Sequence, residues 1–223
     1  MATKEPGAIR KATSTKEAYE SPTATVRTDR SRTRNTEAGM SKALATAVRR
    51  EESIAMPMGR ERISVLDENG NVLGVNVGRE GQVAAPDGVN LKDKIITHNH
   101  PNAYARRNFG GETQLGVRVG TTLSPADITT TIRNDAKEIR AVTKGGYLYS
   151  LKRPATGWGV SETQARAAYR RYEAEYKRRM QGLSVTSRED FNRINSRYNM
   201  ASQNYVLTQM AKEFGWKYTH RRA

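Results

Sequence analysis

Apolar residues change their spacing as the chain proceeds, and each spacing predicts a different element. From Ala2 to about Ala47 bulky apolar residues are nearly missing: "STKEAYESPTATVRTDRSRTRNTEAG" is mostly Thr, Ser, Ala and charge. Such a stretch cannot bury enough surface to offset the entropy lost on ordering, which predicts a disordered or extended arm, or one ordered by a partner. Ser41 then offers an N-cap for a short helix over 41–52 that leads into the folded part.

From Glu61 the period becomes two. "ERISVLDENGNVLGVNVG" alternates Ile63 and Val65, then Val72, Leu73, Val75 and Val77, around Glu68-Asn69-Gly70-Asn71, which has the turn chemistry of a hairpin. "DKIITHNHP" predicts a third strand, closed by Pro101 because proline cannot donate to a ladder. After a Gly-containing stretch, "SPADITTTIRNDAKEIRAV" starts as a helix, and "IRAVTKGGYLYSLKRP" predicts two strands around Lys144-Gly145-Gly146. Strands, one helix and more strands predict a small α+β domain.

From Ser161 the period is helical. Ala165, Tyr169, Tyr172, Tyr176 and Met180 fall on one face of a first helix, and Phe191, Ile194, Tyr198, Ala201 and Tyr205 on one face of a second. "QGLSVTS" joins them, with Ser187 as the second N-cap and Asp190 in the first turn. The tyrosine stripes predict packing surface, with Arg166, Arg170, Lys177 and Arg178 on the exposed side. The expected division is a basic arm over 1–47, a domain over 48–158, and a basic helical hairpin with a tail over 159–223.

Charge sharpens that division. The net charge of +15 splits into +6 over 1–50, zero over 51–150 and +9 over 151–223. Basic flanks around a neutral centre attract polyanions, nucleic acid among them, through a term that weakens with salt. With no cysteine, there is neither a disulfide nor a Cys-ligated metal, so any metal site must use His, Asp, Glu and water. No apolar run approaches the roughly 20 residues that span a bilayer, and "MATKEPGAIR" lacks a signal-peptide core. A cytoplasmic protein, not secreted by a signal peptide, is expected.

Two of the three histidines, His98 and His100, stand two apart on the third strand, so both imidazoles leave one face and can share one ion. Alone, His-x-His is more often structural than ligating. "LSPAD" adds a helix start: Ser124 suits the N-cap, Pro125 the first helical position and Asp127 the first turn, at the positive end of the dipole.

Together, His98-x-His100-Pro101 followed by Ser124-x-x-Asp127 resembles the JAMM motif of the JAB/MPN metalloprotease superfamily, especially its RadC-like and phage- or toxin-associated branches. The resemblance covers about Glu61 to Pro154. It implies a cytidine-deaminase-like mixed sheet with a motif helix, and one zinc ion held by His98, His100 and Asp127. It also implies Ser124 as oxyanion helper and an upstream glutamate as general base, best matched by Glu61 with Glu52 in reserve. The implied activity is hydrolysis of peptide or isopeptide bonds in a protein or peptide substrate, in a phage- or mobile-element-associated protein, virion-associated if phage-encoded. Two departures stand out. Ser124 follows His100 at a much longer spacing than the family's, with "NAYARRNFGGETQLGVRVGTT" between them as a candidate lid or docking flap. "REGQVAAPDGVNLKDK" also stands where many members place a helix.

A second class of function keeps the JAMM-like core as a non-catalytic scaffold, with basic flanks that contact nucleic acid or a phage structural partner. A third takes "HNH" as part of a metal-dependent nuclease finger, which would need its residues spread over a hairpin and a helix. Tyr147, Tyr149 and Trp158 are expected in packing, and His220 in the tail "KYTHRRA" is expected to be incidental.

Overall fold

A computed structural model describes residues 39–79, 81–101 and 122–179, residues 202–222, and the backbones of 104–109 and 112–118. The arm over 1–38, Ser187, Asp190 and the residues Met180, Phe191, Ile194, Tyr198 and Ala201 lie outside these described residues.

Helix α1 (Lys42–Ala55) begins where expected: Ser41 Oγ accepts the Leu44 N–H at 3.2 Å. Strands β1 (Arg62–Leu66) and β2 (Val72–Val77) form the predicted hairpin. Its turn is set by Asp67, whose Oδ1 accepts the N–H groups of Asn69 and Asn71 at 2.9 Å, and by Gly70 at φ 90°. Strand β3 (Ile95–His100) pairs antiparallel with β1, setting Ile63 opposite His98. The Gly-containing insertion forms an antiparallel hairpin of its own, β4 (Tyr104–Phe109) with β5 (Glu112–Arg118). Helix α2 (Pro125–Arg133), strands β6 (Glu138–Thr143) and β7 (Tyr147–Lys152), and helix α3 (Glu162–Arg179) follow in the predicted order.

Helix α4 spans 202–214. It packs on α3: the Tyr172 hydroxyl donates to Glu213 and the Tyr205 hydroxyl to Glu175, each at 2.8 Å. The segment between the two helices falls outside the described residues. The basic stretch expected as a tail is instead strand β8 (Lys217–Arg222), antiparallel to β7, with His220 paired to Tyr149. Its alternating Tyr218 and His220 carry a strand period that the cluster of Lys and Arg obscures.

The main sheet has six strands in the order β2-β1-β3-β6-β7-β8, antiparallel except where β3 runs beside β6. A parallel pair needs a crossover, and this one contains both the β4–β5 hairpin and α2. The protein is α+β with a mixed sheet, and no helix among the described residues is long and apolar enough to cross a membrane.

Each face of the sheet is covered differently. Ile63, Val65, Ile96, Ile139, Tyr149 and Leu151 meet Ile128 of α2, Ala165 and Ala168 of α3, and Leu207 and Met210 of α4 in the principal core. Trp158 and Trp216, with ring centroids 5.2 Å apart, close that core, and Trp158 donates to the Ala136 carbonyl at 3.0 Å. Tyr149 and Trp158 are therefore packing residues, as expected. On the opposite face α1 lays Leu44 and Val48 on Leu66 and Ile95.

That second face also contains charge. Arg140 is fully buried, donating to Glu52 at 2.6 Å and to Glu138 at 2.8 Å, and Ser150 donates to Glu138 at 2.7 Å. Beside them Glu51 accepts from Arg62 at 2.6 Å and from Ser64 at 2.8 Å.

Candidate metal centre

The strand end and the helix start that the sequence placed far apart meet at one point. Even-numbered residues of β3 face the side of α2, so Ile96 enters the principal core and His98 and His100 project above it. At the start of α2, Ser124 and Asp127 form a capping box. The Ser124 N–H donates to Asp127 Oδ2 at 2.6 Å, and the Asp127 N–H donates to Ser124 Oγ at 3.2 Å. This fixes the Asp127 side chain and leaves its outer edge toward the histidines.

His98 Nε2 lies 3.4 Å from Asp127 Oδ1, His100 Nε2 lies 3.6 Å from Oδ2, and the two Nε2 atoms are 2.9 Å apart. Ligand atoms of all three residues fall within 4.8 Å of one another, a group that can hold a metal ion. The chemistry fits a cation. Two imidazole lone pairs facing each other at this range beside a carboxylate repel unless a proton or a metal ion lies between them. Ligands on tetrahedral zinc at about 2.0–2.1 Å stand roughly 3.3 Å apart, within the spread of the three separations here.

Glu61 ends the loop before β1 on the same face and is 9% exposed. It lines a cavity of about 390 Å³ together with His100, Ser124 and Asp127. Burial pushes the Glu61 carboxyl above its ordinary value of 4.5, against the pull of His100 and His98, and Asp127 adds to the rise. Burial also acts to raise Asp127, but the charge and N–H groups of His98 and His100 outweigh it and hold that carboxyl well below 3.8.

Of the two candidate bases, Glu61 stands in this cavity. Glu52 is on α1, bound to Arg140 beneath the other face of the sheet, and does not reach the site. The three letters of "HNH" are consecutive on β3, unlike the nuclease finger.

Several contributors escaped the sequence reading. Tyr169, assigned to a packing stripe, packs against the core and also lines the cavity, and burial raises its phenol to about 12, so it stays a donor at neutral pH. Gln203 of α4 lines the cavity too, and its Oε1 accepts the Thr122 N–H at 2.9 Å. Helices assigned by sequence to a separate segment thus supply one wall. Only the helical period was legible, and a period does not say where an element docks. The insertion's two ends, at Pro101 and Thr122, both line the cavity.

No family model, curated protein or solved structure matches the chain.

Proposed function

We propose that the protein is a zinc-dependent hydrolase of peptide or isopeptide bonds, working as the JAMM-like resemblance implies. The observation that carries this reading is the grouping of His98, His100 and Asp127, two of which, His100 and Asp127, line one cavity with Glu61. The resemblance puts Glu61 first with Glu52 in reserve, and of the two Glu61 lines this cavity.

His98, His100 and Asp127 would hold the zinc ion, which would supply a Lewis acid and lower the pKa of a bound water to about 7. Glu61 takes the proton of the attacking water and delivers it to the leaving amine nitrogen as the carbon–nitrogen bond breaks, a transfer worth roughly two to four powers of ten in rate. The Ser124 hydroxyl accepts from the Asp127 N–H, and its own proton would donate to the oxygen that becomes negative. The β4–β5 hairpin, rooted at Pro101 and Thr122, is the element to grip an extended substrate.

Two measurements test this. Protein purified without added metal is analysed for zinc, and about one ion per chain is expected. Quenched-fluorescent peptides and lysine isopeptides are then offered to the parent and to Glu61→Gln, which is expected to keep the metal and lose cleavage. Failure to bind zinc when titrated, or full cleavage by Glu61→Gln, refutes the reading.

The alternative, a scaffold that binds nucleic acid, is favoured by one observation: β8 is an edge strand carrying Lys217, Arg221 and Arg222. Binding to duplex DNA that falls steeply with salt would support it.

A further inference from the structure

Asn99, the residue between the two histidines, points to the opposite side of β3 and is fully buried. Its amide is spent entirely on the backbone around Glu61. The Arg62 N–H donates to Asn99 Oδ1 at 2.6 Å, and Asn99 Nδ2 donates to the carbonyls of Arg60 at 3.1 Å and Met58 at 3.4 Å. The β1–β3 ladder ends at Ile63 opposite His98, and its next pair would be Arg62 with Asn99. The side chain takes over where the ladder stops.

The residue type follows from the groups to be met. One N–H and two carbonyls call for one acceptor and two donors on a short stem, which a primary amide provides. Aspartate has acceptors only, serine has a single donor, and glutamine holds the same groups one methylene too far out. On its other side Glu61 is tied to the chain after β2: its N–H donates to the Arg79 carbonyl at 3.2 Å, and its carbonyl accepts from Gly78 at 2.8 Å. The Glu61 carboxylate itself has no hydrogen bond among the described residues. With no hydrogen bond of its own, the carboxylate depends for its position on where the backbone at Glu61 is held, beside the charges of His98, His100 and Asp127.

We infer that Asn99 is a positioning residue that clamps the backbone on both sides of Glu61 and so fixes the carboxylate relative to the His98, His100 and Asp127 group. This rests on the assignment of Glu61 under the proposed function. A purely structural amide would affect stability without moving that carboxylate selectively, and this difference can be measured.

Cobalt(II) replaces zinc in protein carrying ¹³C-carboxyl glutamate, and the Glu61 signal is identified by its loss in Glu61→Gln. The parent is expected to show a large paramagnetic shift at Glu61. In Asn99→Ser that shift collapses, while the shifted ring protons of His98 and His100 and the cobalt affinity stay as in the parent. Peptide cleavage falls on the order of 100-fold, and falls no further when Asn99→Ser is added to Glu61→Gln. If Asn99→Ser does not fold, Asn99→Asp, which keeps the acceptor for Arg62 and loses both donors, is compared in the same way. An unchanged Glu61 shift, or loss of the histidine shifts together with it, overturns the inference alone. A parent protein that takes up no cobalt overturns the metal-site reading and this inference with it.

Discussion

Ser124 and Asp127 hold each other twice, through the Ser124 N–H to Asp127 Oδ2 at 2.6 Å and the Asp127 N–H to Ser124 Oγ at 3.2 Å. The same reciprocal pair that starts α2 therefore aims a carboxylate of the group that can hold a metal ion, so one interaction both caps the helix and orients that carboxylate. Ser124→Ala is expected to cost about 1 kcal/mol of stability, as the loss of a cap does. It is also expected to lower zinc affinity about tenfold by freeing Asp127. Thermal unfolding with and without metal, beside a zinc titration, measures both. Ser124→Thr, which keeps the hydroxyl, is expected to retain most of each.

A ligand that binds the folded chain alone stabilises it by mass action. Zinc at a hundred times its Kd is expected to add about 2.7 kcal/mol, removed by a chelator. His98→Ala and Asp127→Ala are expected to unfold at the same temperature with or without zinc. Calorimetry across a zinc series provides the comparison, and a His98→Ala protein stabilised like the parent would move the ion elsewhere.

In the metal-free protein the two site carboxyls are expected to titrate in opposite directions from their ordinary values, Glu61 above 4.5 and Asp127 below 3.8. The signs for stability differ accordingly. Asp127 contributes stability above pH 3.8 that is lost as pH falls through its folded value. Glu61 contributes stability that is full below pH 4.5 and is lost as pH rises through its folded value. Carboxyl ¹³C shifts followed against pH would show the crossing, and a Glu61 midpoint at or below 4.5 would contradict it.

Arg140→Met would leave Glu52 and Glu138 buried without their shared partner, at a cost of roughly 3–5 kcal/mol. Adding Glu52→Gln and Glu138→Gln is expected to recover part of that, because the uncompensated charge is then gone. Denaturant unfolding measures the loss and the recovery. Zinc stoichiometry is expected to stay unchanged, since the network lies beneath the other face of the sheet.

Much of this was legible in the chain because local chemistry and tertiary role coincide. The β1–β2 turn, the Ser41 and Ser124 caps and the His98/His100 spacing are set by neighbours a few residues apart. The distant partners were not legible. Nothing within "KYTHRRA" says that β7 offers it a free edge, so strand β8 looked like a tail. Tyr169 has the same helical spacing as Tyr172 and Tyr176, and only the docking of α3 turns it toward the cavity. Asn99 was hidden between two more conspicuous residues, because its partners Met58, Arg60 and Arg62 lie about forty positions away. The ranking of Glu61 above Glu52 was already legible, but that the sheet puts them on opposite sides was not.

The insertion between His100 and Ser124 enters and leaves at two anchored points: Pro101 is buried, and Thr122 is held through its N–H by Gln203. The six-stranded sheet contributes no pairing to the β4–β5 hairpin, which forms a two-stranded sheet of its own. The position is therefore a graft point, where hairpins of different length and sequence can be exchanged between the same two stumps. Such an exchange is expected to leave His98, His100, Asp127 and Glu61 in their places.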